Sequence, residues 1–167
     1  MRMTPDDFFE IFVKGNYEDY QLNVGCIRQA FNAAVSASHL ADQYFWYYKK
    51  YDQAKVKPFE KLIDFRKYLS ENTNDCFRDI WSISNAYKHL YVSDLVSTIT
   101  SPGAIESISF LDKKSEIKKI QEDWTVASNS SKVVFTRKNG QQSDFLPTLE
   151  TVIKFWEELL YKGDPQK

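Results

Sequence analysis

From about Asn23 to Tyr51 the chain keeps a single helical rhythm. Val24, Ile27, Phe31, Val35, Ser38, Asp42 and Phe45 recur at helical spacing, which lines one side of an α-helix. Ala30, Ala33, Ala34, Ala37 and Ala41 run beside them, and side chains this small let a neighbour approach closely. Lys49 and Lys50 close the segment, where the helix dipole favours cations. So long an apolar stripe has to be covered by other elements, which commits the chain to helix-on-helix packing.

The flanking segments supply those elements. Thr4 is a predicted N-cap, Pro5 suits the first helical position and Asp6 and Asp7 suit the dipole. Phe8, Ile11 and Phe12 give this first helix its stripe, Gly15 is expected to stop it, and residues 16–21 read as a connector. Pro58 opens a third helix through about Leu69, with Leu62, Phe65 and Leu69 inward. The polar cluster Glu71 to Asp75 then launches a fourth, from Cys76 to about Tyr91.

After Ser93 the pattern changes. Val, Ile, Ser and Thr alternate from Leu95 to Thr100, and Ser101-Pro102-Gly103 breaks the chain. Between Ala104 and Ser131 the signals are mixed: Glu116 to Ile120 suits a helical turn and Trp124 to Ala127 a strand. Val133 to Arg137 and Gln142 to Phe145 read as a hairpin around Asn139-Gly140. Pro147 starts a closing helix with Leu149, Val152, Ile153, Trp156, Leu159 and Leu160 inward. The expected fold is mainly α: a bundle of about five helices with a small antiparallel β-hairpin insertion before the last. A single domain is expected over 1–167, helical over 4–92, with the β-containing insertion at about 95–146 and the closing helix at 147–162.

Composition bounds the function. Aromatic residues make up 16% of the chain, more flat surface than a core of this size usually takes, so some rings are expected at an interface and the chain in a homodimer. Net charge is −1, so no global field draws the protein to nucleic acid or anionic lipid, and RNA binding would rest on a local patch. Cys26 and Cys76 lie in apolar helical contexts and read as reduced core residues. No apolar run is long enough to span a bilayer and the N-terminus lacks a signal-peptide pattern, so a cytoplasmic protein without a membrane partner is expected.

Three constellations carry chemistry. On the fourth helix Arg78, Ser82, Asn85 and His89 fall within about 60° of arc, with Lys88 at the edge. This is either a solvated face or a site. An imidazole beside an amide and a cation suits metal-free phosphodiester cleavage, with His89 as acid or base and Arg78 or Lys88 stabilising charge. The alternative is that Lys88 and His89 only complement a helix C-terminus. His39 and Asp42 lie one turn apart and could join His89 as metal ligands. With only two histidines in the chain and no HExxH pattern, they read instead as a supporting pair, and no metal or other cofactor is expected. Third, Tyr44 to Tyr48 are all aromatic and run into Lys49 and Lys50. Rings mixed with lysines can hold bases and phosphates, although consecutive rings point all round a helix, and most must pack on the bundle or on a partner.

On Asn85-Ala86-Tyr87-Lys88-His89 the chain resembles the HEPN families of small helical bundles. Their ribonucleases carry Arg, any residue, a polar residue, three more, then His on a late helix. The polar-x-x-x-His half is present, and Ile83 stands at the Arg position. The chain is also similar to bacterial proteins of unassigned activity that combine the His39 to Asp42 segment, the Asn-x-x-Lys-His pattern and a closing Phe155-Trp156 helix. The HEPN resemblance implies a two-fold dimer with His-bearing helices facing across a cleft, and metal-independent RNA cleavage of toxin or phage-defence type. It makes His89 the acid/base, Asn85 the residue that orients phosphate and Arg78 or Lys88 the charge stabiliser. From the polar line and the aromatic run, Ser82, Lys49 and Lys50 are the expected substrate contacts. The competing expectation is a non-catalytic interaction or regulatory domain that binds a protein partner through its aromatic surface.

Overall fold

The computed structural model describes residues 3–89, 97–109 and 131–162. The helices are α1 (Pro5–Phe8), α2 (Gly15–Leu22), α3 (Ile27–Tyr51), α4 (Leu62–Asn72), α5 (Cys76–His89) and α6 (Phe145–Tyr161). A π-helical segment, Phe9–Lys14, joins α1 and α2 into one rod. Among the described residues this makes five helices and a sheet of three antiparallel strands, β1 (Ile105–Ser109), β2 (Ser131–Thr136) and β3 (Gln142–Asp144), in that order. The mainly helical expectation holds.

Rings fill the core. Trp156 of α6 is fully buried and its indole N–H donates to the Ala37 carbonyl of α3 at 3.1 Å. That bond requires close approach, and the alanine stripe provides it: Ala33, Ala34, Ala37 and Ala41 are all buried. Tyr44 stacks on Phe65 of α4 with centroids 5.4 Å apart, and Phe77 of α5 meets Trp156 edge-on at 6.4 Å. The aromatic run of α3 therefore divides by face. Tyr44, Phe45 and Tyr48 are buried, Tyr47 is half-buried, and Trp46 and Tyr51 are exposed.

Several boundaries differ from the sequence reading, each for a packing reason. Gly15 does not stop the first helix; it is right-handed helical, and residues 16–21 continue in α2. Glycine costs a helix about 1 kcal/mol, and burial of Phe9, Val13 and Tyr20 along the rod outweighs that. The long helix begins at Ile27 rather than Asn23, because the Val24 backbone is committed elsewhere. Its carbonyl accepts from the Tyr20 hydroxyl at 2.8 Å and from the Val133 N–H of β2 at 3.0 Å. Gly25 makes this approach possible, since a Cβ there would lie 1.9 Å from Ser131 Oγ. Pro58 follows a cis peptide and sits in a turn closed by the Phe59 N–H on the Val56 carbonyl, so α4 starts only at Leu62. That helix runs on to Asn72, into the segment expected to launch α5, and Thr73 takes the capping role by accepting from the Phe77 N–H at 3.0 Å.

The hairpin forms where expected, with one strand more. Val134 faces Asp144 and Thr136 faces Gln142. At the turn the Gly140 N–H donates to the Arg137 carbonyl and Gly140 takes φ +83°, the left-handed position that closes a three-residue hairpin loop. On the other edge β1 pairs with β2, Ile105 opposite Phe135. The helical turn at 116–120 and the strand at 124–127 lie outside the described residues. The closing helix begins at Phe145, two residues before Pro147, and a proline without an N–H is tolerated in a first turn.

A buried ion pair ties the sheet to the bundle. Asp79 of α5 is 1% exposed. Arg137, at the end of β2, donates through Nε to both its oxygens at 3.0 and 3.1 Å and through a terminal nitrogen as well. Thr98 adds a hydroxyl bond to Asp79 at 2.7 Å, and Ser143 accepts from the other guanidinium nitrogen at 2.6 Å. Removing one partner of such a pair strands a buried charge, at a typical cost of 3–5 kcal/mol. Arg137→Met is therefore expected to lower stability by about 3–5 kcal/mol in urea denaturation, while Asp79→Asn combined with Arg137→Met recovers part of the loss. A change below about 1 kcal/mol for Arg137→Met would show that the pair does not carry the docking.

Candidate functional site

Helix α5 presents three faces, and they divide the polar residues differently from the sequence expectation. At about 100° per residue, Lys88, Trp81, Asn85, Arg78 and His89 share an arc of about 100°. All five are half-buried or exposed. Ser82 belongs to the buried side: it is 0% exposed, and its Oγ accepts the Thr98 N–H at 2.9 Å. It anchors the segment beside the sheet and cannot reach a ligand on the open face. Ile83, at the motif's Arg position, is also 0% exposed and belongs to the core.

The open face of α5 meets α3 and α4 in a cluster of four charged or titratable side chains. Lys88 Nζ contacts His39 Nε2 directly. An ammonium only donates, so His39 must accept through Nε2 and carry its proton on Nδ1, as a neutral imidazole. Burial holds the His39 pKa below its ordinary 6.5, and the charge of Lys88 adds to the lowering, against a smaller opposing effect of Asp42. Burial likewise lowers the pKa of Lys88. Asp42 does not fix the imidazole, as its position one turn from His39 suggested. It accepts from Arg66 of α4 at 2.5 Å instead. The same guanidinium lies 5.4 Å from the centre of the Trp81 ring, and its buried Nε has no hydrogen-bond partner among the described residues.

The other expected residues fall outside this cluster. Arg78 lines the seam between α4 and α5 and pairs with Asp75 at 2.9 Å. Asn85 lies on the open face between Trp81 and Lys88, one turn from each. His89 is exposed at the end of α5. Lys49 and Lys50 are about 15 Å further along α3 than His39. Lys49 donates to the Glu60 carbonyl and lies over the rings of Phe45 and Trp46, and Lys50 lies over Tyr51. Among the described residues no group of three or more His, Cys, Asp or Glu side chains could hold a metal ion. No helix among them is long and apolar enough to cross a membrane. Sequence reasoning missed Arg66 and Trp81. Arg66 precedes Lys67 in a helix read only for its inward residues, and the one hint was its place next to the inward Phe65.

The chain matches no family model, no curated protein and no solved structure. The reading of the site therefore rests on its own geometry.

That geometry makes stability depend on pH. For His39 the folded pKa lies below the unfolded value, so between the two the unfolded chain binds more protons and stability rises with pH. The contribution of the neutral imidazole is complete above about pH 6.5 and is lost as pH falls from there toward the folded pKa. An NMR titration is expected to place His39 below 6.5 and to move it upward in Lys88→Met. A His39 that titrates at or above 6.5 in the native protein would overturn the assigned contact.

Proposed function

We propose that this is a HEPN-like protein acting on RNA, a metal-independent endoribonuclease of toxin or defence type working as a cytoplasmic homodimer. The observation that carries the reading is the contact of His39 with Lys88, beside Arg66 and on the same side as Asn85 and Trp81. Cleavage of RNA without a metal needs a base for the 2′-hydroxyl proton, an acid for the leaving 5′-oxygen and cations for the charge on phosphorus. His39 is the base, since it is held unprotonated at neutral pH. Lys88 turns from the imidazole to the phosphate, which frees Nε2 to take the proton. As the 2′-oxygen bonds to phosphorus and the bond to the 5′-oxygen breaks, His89 donates a proton to the leaving oxygen, which leaves a 2′,3′-cyclic phosphate and the 2′-hydroxyl proton on His39. Asn85 orients the phosphate. Arg78 and Arg66 add positive charge along the approach, and Asp42 holds Arg66 in place.

The test is cleavage of a mixed RNA pool in the presence of chelator. Wild type is expected to cut, and His39→Ala and His89→Ala are each expected to lower the rate by about a hundredfold or more, the usual contribution of one acid or base. Equal and negligible cleavage by wild type and both variants sinks the proposal.

One observation favours a second reading, a non-catalytic domain that dimerises or binds a protein partner through its rings. Trp46 is 58% exposed, with Tyr51 exposed one turn and a residue further on. Large exposed rings of this kind act as interface anchors. A dimer in solution that dissociates in Trp46→Ser, together with no RNA cleavage by wild type, would support this reading over the first.

A further inference from the structure

Between α4 and α5 lies a pocket of about 340 Å³, within the range of small-molecule sites. Its walls combine two kinds of group. Trp81 supplies flat apolar surface backed by the buried Phe77, while Arg66, Lys67 and Arg78 supply three cations. Asp64 is the single carboxylate in the wall, so the lining itself is net positive.

We infer that this pocket binds one nucleotide, its base stacked on Trp81 and its phosphate held by Arg78 and Lys67. An aromatic face beside guanidinium groups suits a planar base joined to a phosphate: the ring takes the base whatever its identity, and arginine forks match phosphate oxygens two at a time. The cations are available to a ligand. Among the described residues, Arg78 and Lys67 pair with the exposed carboxylates Asp75 and Glu71, at 2.9 and 3.8 Å, and surface pairs of this kind hold their partners weakly. Arg66 contributes differently. Its terminal nitrogen is committed to Asp42, and its guanidinium lies beside the Trp81 ring, where it adds positive charge to the wall.

The inference rests on reading the open face of α5 as a nucleic-acid surface and gives that surface its base-holding position. From Arg78 through Trp81 and Asn85 to Lys88 the face rises about 15 Å, so a nucleotide in the pocket would extend its chain toward His39. The ligand could equally be a free mononucleotide, since the recognised chemistry is the same.

Calorimetric titration of the full chain in chelator separates these cases, with adenosine 5′-monophosphate, adenosine, ribose 5-phosphate, benzoate and a short oligodeoxynucleotide as probes. The mononucleotide is expected to bind at least tenfold more tightly than adenosine, ribose 5-phosphate or benzoate, because only it supplies both base and phosphate. Trp81→Ala is expected to weaken it by roughly tenfold, as for loss of one stacking platform, with most of the affinity restored in Trp81→Phe. Arg78→Gln is expected to weaken the phosphate-bearing probes and leave adenosine unchanged. Tighter binding of the oligodeoxynucleotide than of the mononucleotide, lost in the same variants, identifies nucleic acid as the source; the reverse order identifies a free nucleotide. Mononucleotide binding that is absent, matched by benzoate or unchanged in both Trp81→Ala and Arg78→Gln overturns the inference. RNA cleavage by wild type keeps the catalytic reading separate: nucleotide binding that persists without any cleavage rejects only the catalysis, and cleavage without Trp81-dependent binding rejects only the pocket.

Discussion

The bidentate contact between Asp79 and Arg137 is the interaction on which the arrangement of this protein depends. Placing a carboxylate at 1% exposure in the first turn of α5 is costly, and the attraction to one cation does not by itself offset the loss of water. What makes it tolerable here is saturation. Asp79 accepts from Arg137, and Thr98 donates a further hydrogen bond. The guanidinium also reaches Ser143 and lies 5.2 Å from the Phe135 ring centre. The participants come from three separate pieces of chain, so the network forms only when α5, the segment around Thr98 and the hairpin meet in one register. A pure hydrophobic contact could slide along the helix; this one cannot.

That constraint also explains why α5 is two-sided. Its sheet-facing side uses Asp79 and Ser82 to hold the segment at Thr98, whose carbonyl accepts the Lys138 N–H in turn. Its core side packs Phe77, Ile80, Ile83 and Ala86. With those two directions fixed, the remaining arc has to face outward, and it carries Arg78, Trp81, Asn85 and Lys88. The candidate site is thus the part of the helix that neither the sheet nor the core consumes, roofed on one side by Arg66 from α4 and on the other by His39 from α3.

Much of this was legible in the sequence wherever the signal is local. The periodicity of α3, the alanine stripe, the inward residues of α6 and the Asn139-Gly140 turn all report on neighbours within a few positions, and the fold class followed from them. The errors share a cause. Gly15 and Pro58 were read by their propensities, and packing of the rod and the turn before α4 overrode them. Ser82 was placed on an open polar line because helical phase groups it with Arg78 and His89, but phase cannot say which polar side chain is claimed by a distant Thr98. Arg66 was invisible for the same reason, as its partner lies 24 residues earlier on another helix. Long-range pairing decides the site, and a periodic pattern carries no record of it.

The place of Ile83 follows from the same division of faces. The HEPN-type motif asks for a cation two residues before Asn85, a position that here points into the core at 0% exposure. An arginine at that position would put a guanidinium into the hydrophobic core cluster to which Ile83 belongs, and an unpaired buried charge of that kind is costly. The burial of Ile83 is thus a consequence of how α5 is packed. The positive charge that the open face does carry comes from Arg78 and Lys88 on the same arc and from Arg66, reaching over from α4, so it is assembled across helices instead of along the sequence.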